Sequence, residues 1–447
     1  MIRLILWFAL VLVIAATTAF IADFPGSVVM DFPTRRIETS FAALVLFAGF
    51  LVLLVGFLVW FIGWLRREMP VVGSNRVLHR QKRGFKLLNQ SLVALSAGDH
   101  RVAKRLVEQA EVLLPPQPMV HLIAAEASHR AGEHEAAAKR YKALEQSEDG
   151  RLIGLRGLLS EARRTGKENE ALVLARRAFD ENRKSPWVLK TLFALEVSSG
   201  NWVEAEAALA KVLKEGLFDK QTADHHRGAL AYAEGTEAQL RGDRDAARKH
   251  FKRALTVRTG FVPAIAGLVR LELSSGNKKQ ASKLIHDAWK TAPHPVLAKL
   301  FKEIDASEST ADWLKRVRGL AAVRPDHPVS LLLLVDALMD ARDYSAAKPV
   351  LERLLKDAPS RAAWQFRLAL AHALEEDPDP VEAALEYAPE GASWYCDDCG
   401  TKAASWSPLC PSCDMFDTLE WRQGADIKAP KKTFNPASTI TLLSVDS

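Results

Sequence analysis

The sequence predicts a mainly α protein in three parts: two N-terminal transmembrane helices, an α-solenoid of repeated helical hairpins, and a small C-terminal metal module. Three observations predict it. Two long uncharged apolar runs open the chain, small residues then recur at a fixed interval of 34, and the chain's four cysteines all fall within 18 positions near the C-terminus. Apolar content is 48% and charged content 26% over 447 residues, which suits an ordinary folded protein of two or three domains.

Leu4–Ile21 and Phe41–Leu65 are the apolar runs, of 18 and 25 residues. As helices rising about 1.5 Å per residue they reach roughly 27 and 37 Å, against a hydrocarbon core of about 30 Å. Residues 1–65 are therefore expected to hold two spans, 4–21 and 41–65, joined by a short periplasmic loop. A cleaved signal peptide is the competing reading of the first run, but that run exceeds a usual signal core and no small-residue cleavage site follows it. Arg66, Arg67, Arg76, Arg80, Lys82, Arg83 and Lys86 follow the second run, opposed only by Glu68, and account for the whole formal net charge of +6. By the positive-inside rule this basic juxtamembrane segment, 66–85, stays in the cytoplasm, with both termini and everything beyond it. Basic charge placed beside a bilayer favours anionic lipid over nucleic acid as its partner.

Residues 86–388 are rich in Ala, Leu, Glu, Lys and Arg, with no alternating strand pattern. Gly98, Gly132, Gly166 and Gly200 stand 34 apart; Gly242 follows after 42 and Gly276 after another 34. Arg342 takes the same place 66 residues on, leaving one degenerate unit between. Five residues after each anchor stand Ala103, Ala137, Ala171, Ala205, Ala247, Ala281 and Ala347. Twelve after stand Ala110, Leu144, Ala178, Val212, Ala254, Ala288 and Leu354, and Pro115, Pro293 and Pro359 close three units. Glycine allows a tight turn between two antiparallel helices, alanine lets them approach closely, and proline stops the second. Tyr141 and Phe251 fit a large-residue position of such a unit. Pro349 falls inside the last second helix unless that helix starts near Ser345. Stacked hairpins offer a long surface for peptide or protein binding and imply no catalytic geometry.

In residues 392–422 the spacing Cys396-x2-Cys399-x10-Cys410-x2-Cys413 meets the requirement of a four-thiolate metal site. Each C-x2-C pair makes a knuckle. Gly400 suits the left-handed position after the first, and Asp414 takes the matching place in the second. About 30 residues bury too little core to fold alone, so the ion supplies stability. Zinc is the expected ion, with iron as the alternative. Leu409-Cys410-Pro411 also holds a Cys-Pro pair of the kind that ligates haem, although the proline is equally at home in the knuckle. The tail, 423–447, is polar and reads as flexible.

No phosphate-binding loop, GxGxxG turn, HExxH or GxSxG is present, so no catalytic residues are nominated and a non-enzymatic role is expected. Among the 12 histidines, His225-His226 and the pair His129 and His134, which flanks a turn, are the local groupings. The ordinary reading of both is surface or groove histidine.

On period and small-residue positions the array resembles the tetratricopeptide repeat, over about 300 residues and seven or eight units. The cysteine segment resembles rubredoxin-like ribbons. The connector "DFPGSVVMDFPTRRIETS", followed by a span ending "WFIGWLRREMP" and then the array, resembles HemY-type membrane proteins of proteobacteria, which are associated with haem biosynthesis. That resemblance implies a bacterial inner-membrane scaffold that recruits cytoplasmic or membrane-associated tetrapyrrole-biosynthesis enzymes. The four-cysteine end departs from the shortest form of that family. It is similar instead to lipopolysaccharide-assembly adaptors of the LapB type, which have one span and a ribbon packed on the repeats. A rubredoxin-like electron carrier is the third reading. The ribbon is expected to lock the far tip of the stack.

Overall fold

The computed structural model describes residues 26–32, 35–68 and 74–423. The first expected span, 4–21, and the tail beyond Gln423 lie outside the described residues. The chain divides into two units, 1–120 and 121–447.

In the first unit the expected loop ahead of the second span is a β-hairpin. Ser27–Phe32 pairs antiparallel with Arg35–Ser40, in the register Ser27↔Ser40 to Phe32↔Arg35. The second strand runs directly into the helix Phe41–Glu68, and the Phe41 amide donates to the Gly26 carbonyl at 2.9 Å. Ala43–Trp64, 22 residues, is long and apolar enough to cross a membrane, and Phe47, Phe50 and Val52 on it are exposed. Arg80, Lys82, Arg83 and Lys86 lie on a further helix, Ser74–Ser96, which pairs with His100–Leu113.

The second unit is a stack of helical pairs. Its hairpins are 151–164 with 168–181, 186–198 with 202–214, 220–240 with 244–257, 262–274 with 278–289, 295–303 with 310–321, 328–340 with 344–357, and 361–373 with 379–386. The helix Pro118–Arg130 crosses the division of the two units and is followed by His134–Glu145. The ruler is physical. All seven alanines five residues past an anchor are 0% exposed, so a larger side chain at any of them would push neighbouring helices apart. The anchors take left-handed backbone, from φ 70° at Gly166 to 86° at Gly98, and Arg342 does the same at 57°. After Gly132 the chain closes as a helix C-cap: the Gly132 amide donates to His129 O at 3.0 Å and the Glu133 amide to Ser128 O at 2.9 Å.

Departures from the ruler have physical causes. The interval of 42 before Gly242 is taken up by lengthening one helix: Lys220–Leu240 has 21 residues where its counterpart Pro186–Ser198 has 13. The degenerate unit has a short first helix, Pro295–Glu303. A further unit follows Arg342, with Glu375 at φ 54° in its turn. The helix Tyr344–Asp357 continues through Pro349, which is its sixth residue and lies beyond the amides that need no partner, so one intrahelical bond is lost.

Two large side chains fill the gaps between helices. Tyr141 and Phe251 are buried, and each is received by glycine. A Cβ on Gly157 would stand 2.2 Å from Tyr141 Cδ1, and one on Gly235 would stand 2.7 Å from Phe251 Cδ1.

Candidate metal centre

The cysteine segment folds as a three-stranded antiparallel sheet with Ser393–Cys396 between Lys402–Ala403 and Leu419–Arg422. The first knuckle closes with the Gly400 amide donating to Cys396 O at 3.0 Å, and the second with the Asp414 amide donating to Cys410 O at 3.0 Å. Gly400 and Asp414 adopt φ 74° and 55°, the left-handed backbone that the knuckle demands. The four sulfurs lie within 4.8 Å of one another. Cys396 Sγ to Cys413 Sγ and Cys399 Sγ to Cys410 Sγ are both 3.7 Å. A tetrahedron of thiolates about 2.3 Å from a zinc ion has edges of roughly 3.8 Å, so the donor set fits a closed four-sulfur centre. At that separation none of the thiols is bonded to another.

The surroundings favour thiolate at Cys399, while burial opposes it at Cys410 and Cys413. Thr401 Oγ1 lies 3.2 Å from Cys399 Sγ and Thr418 Oγ1 3.2 Å from Cys396 Sγ, and the Ser412 amide donates to Cys410 Sγ at 3.5 Å. Burial opposes ionisation of Cys399, but the Thr401 hydroxyl and amide outweigh it and bring its pKa down to about 6. Burial pushes Cys413 up, which leaves its thiolate dependent on a cation. Cys410 is 1% exposed and its sulfur belongs to this cluster, so the Cys-Pro pair serves the knuckle.

The ribbon does not sit at the tip of the stack. It folds back across the middle and shares one apolar cluster with it, in which Trp394, Cys396, Trp406 and Leu419 meet Phe251, Phe261 and Leu268. Trp406 stands edge-on to Tyr232 and Phe261, with centroids at 5.0 and 4.8 Å, and its Nε1 donates to Leu419 O at 3.1 Å. Phe416 meets Phe193 at 5.8 Å, and Trp421 lies 4.1 Å from the His294 ring. Arg258 donates to Asp417 Oδ1 at 2.8 Å and to Glu420 Oε1 at 3.2 Å, and His226 Nδ1 lies 3.1 Å from Asp417 Oδ2. His226 belongs to the extra turns of Lys220–Leu240, so the interruption of the 34-residue interval builds part of the ribbon's seat.

The two histidine groupings, expected at the surface or in a groove, are partly exposed and make contacts between distant segments. His226 holds the ribbon. His294, which no sequence signal singled out, caps the helix Pro295–Glu303 by accepting from the Val296 amide at 3.1 Å, and burial lowers its pKa to about 4. His129 and His134 both reach Glu161, on the first helix of the next pair.

Family profiles agree with this architecture. A family profile described as "HemY protein N-terminus" matches residues 26–132, and two described as "Tetratricopeptide repeat" match 238–302 and 332–395. "Probable magnetosome protein Mms48" of Magnetospirillum gryphiswaldense is 25% identical over 256 residues, 56% of this chain and 56% of its own length. The chain thus spans about half the length of the curated relative it matches. Among solved structures, a tetratricopeptide repeat protein from Parabacteroides merdae is 17% identical, covering 57% of this chain and 99% of its own, with a TM-score of 0.30. The C-terminal part of a TPR repeat-containing protein from Cytophaga hutchinsonii is 12% identical, covering 62% and 98%, also with a TM-score of 0.30. The paired helices, the recurring left-handed turns and the two profile matches identify the array as a tetratricopeptide-repeat region, accompanied among the described residues by one candidate membrane helix and by a four-cysteine cluster able to hold a metal.

Proposed function

We propose that the chain is an inner-membrane scaffold without catalytic activity of its own, and that its repeats gather enzymes of late haem synthesis at the bilayer. The observation that carries this reading is the profile match over 26–132, which joins the hairpin, the apolar helix and the start of the array in one module associated by name with HemY. In this proposal 1–65 holds two spans, 66–85 meets anionic lipid, 86–388 binds partner proteins in the cytoplasm, and Cys396, Cys399, Cys410 and Cys413 hold one zinc ion. Zinc in a closed four-thiolate site has no open position for substrate, so its contribution is to fix the ribbon. Deletion of the gene tests the role: porphyrin intermediates accumulate or haem falls, while the purified protein converts no porphyrin. Unchanged tetrapyrrole pools contradict it.

One observation favours a second reading. The ribbon's packing against the repeats matches what the LapB-type resemblance implies, so an envelope adaptor remains the competitor. Lipopolysaccharide abundance in the same deletion strain separates the two. Iron in the purified protein would favour the electron carrier instead.

A further inference from the structure

The stack places a second set of metal-ligating side chains far in sequence from the cysteines. One ligand atom each from His129, His134 and Glu161 lies within 4.8 Å of the others, one of two such groups among the described residues. Their placement follows from the hairpin. His129 ends one helix and His134 begins the next, across the left-handed turn at Gly132, so the two rings meet edge to face with centroids 5.4 Å apart. Glu161 comes from the next pair, on Arg151–Arg164, and directs Oε1 at both rings: His129 Nδ1 stands at 2.5 Å and His134 Nδ1 at 3.3 Å.

We propose that His129, His134 and Glu161 form a binding site for a borderline divalent transition-metal ion of the zinc class, distinct from the four-cysteine centre. Two imidazoles and one carboxylate are the donor types that zinc, nickel and copper prefer, whereas calcium and magnesium need more oxygen ligands. In a tetrahedral zinc site, ligands about 2.05 Å from the ion stand roughly 3.3 Å apart. The His134–Glu161 separation already has that value, and the His129 contact has to open by less than about 1 Å. The carboxylate is prepared for the task. Arg164 Nε donates to Oε2 at 2.9 Å, which fixes the carboxylate in orientation and leaves Oε1 to the ion. Glu161 is buried while both histidine side chains are about a third exposed, at 28% and 32%, so the open side of the site faces solvent and leaves a fourth position for water or a ligand from a partner. Each Nδ1 must offer its lone pair to the ion, which a neutral imidazole does in the tautomer that carries its proton on Nε2.

Equilibrium dialysis of the full-length protein in detergent, against zinc alone, tests the site by counting metal per chain. The wild type is expected to retain a second zinc beyond the cysteine-bound ion. His134→Ala and Glu161→Gln should each lose that second zinc, keep the first, and melt as cooperatively as the wild type. Copper added in place of the second zinc should give a paramagnetic resonance spectrum split by imidazole nitrogens, and His134→Ala should abolish the splitting. Retention of a single zinc by the wild type overturns the proposal. So does a second zinc that survives both substitutions, since it would lie on other histidines.

Discussion

Arg258, in the loop between two helical pairs, donates to the Asp417 carboxylate at 2.8 Å across 159 residues of sequence, and the Asp417 side chain is only 2% exposed. This buried pair fixes the ribbon to the middle of the array. Asp417→Ala would leave the guanidinium buried without its main partner, and breaking such a pair costs about 3–5 kcal/mol. Hydrogen exchange should accelerate in the strands 393–396 and 419–422. Arg258→Ala should give the same pattern, and the double variant should cost less than the sum of the two.

The pH dependence of stability should carry the mark of His294. Its folded pKa is lowered to about 4 because the ring is buried against Trp421, whereas an unfolded histidine titrates near 6.5. Between those values the unfolded chain binds the proton and the folded one does not. Stability is therefore fully present above about pH 6.5 and declines as pH falls toward 4, by an amount on the order of 3 kcal/mol. The thiolate centre also weakens in acid, so the measurement is a difference. Denaturant midpoints at pH 7 and pH 5 should diverge less in His294→Asn, which keeps a helix-capping side chain, than in the wild type.

Gly157→Ala tests the close approach in the array. The added methyl group would meet the Tyr141 ring at 2.2 Å, a contact that forces the ring or the helix to move. A loss of about 1–3 kcal/mol is expected by thermal or chemical denaturation. Alanine at Gly319, where nothing stands within 4 Å, should be neutral or slightly stabilising.

Cys413→Ser should release the ribbon without dissolving the stack. Helical circular dichroism is expected to stay largely intact because the pairs hold one another through neighbour contacts. The shared cluster around Phe251 and Phe261 would lose its cover, so the unfolding midpoint should drop and protease should cut between 388 and 423 first. A colourless protein holding zinc, which loses its ribbon protection on chelation, is the matching result for the wild type.

Much of this was legible because local backbone demands leave marks in sequence. The left-handed turn admits few residues, so Gly98 to Gly276 mark the hairpins, and the fully buried alanines mark the close faces. The two knuckles announced the metal cluster through C-x2-C spacing and Gly400. What was not legible depends on contacts between distant segments. The ribbon's position rests on Arg258, His226 and Trp406; His226 stood out only as half of a histidine pair, and nothing near any of the three in sequence points to the contact each makes across the fold. The interval of 42 was visible, but its use as an extended seat required the fold. His129 and His134 were visible as a pair, while Glu161 joins them only because the next hairpin stacks on theirs.

The most direct measurement of the central claim is crosslinking of the full-length protein in its native membrane, followed by identification of what is captured along the repeats. The account predicts enzymes of late tetrapyrrole synthesis, held by contacts that persist in the Cys413→Ser variant if the array rather than the ribbon binds them. Capture of lipopolysaccharide-assembly components alone, with tetrapyrrole enzymes absent, would contradict it.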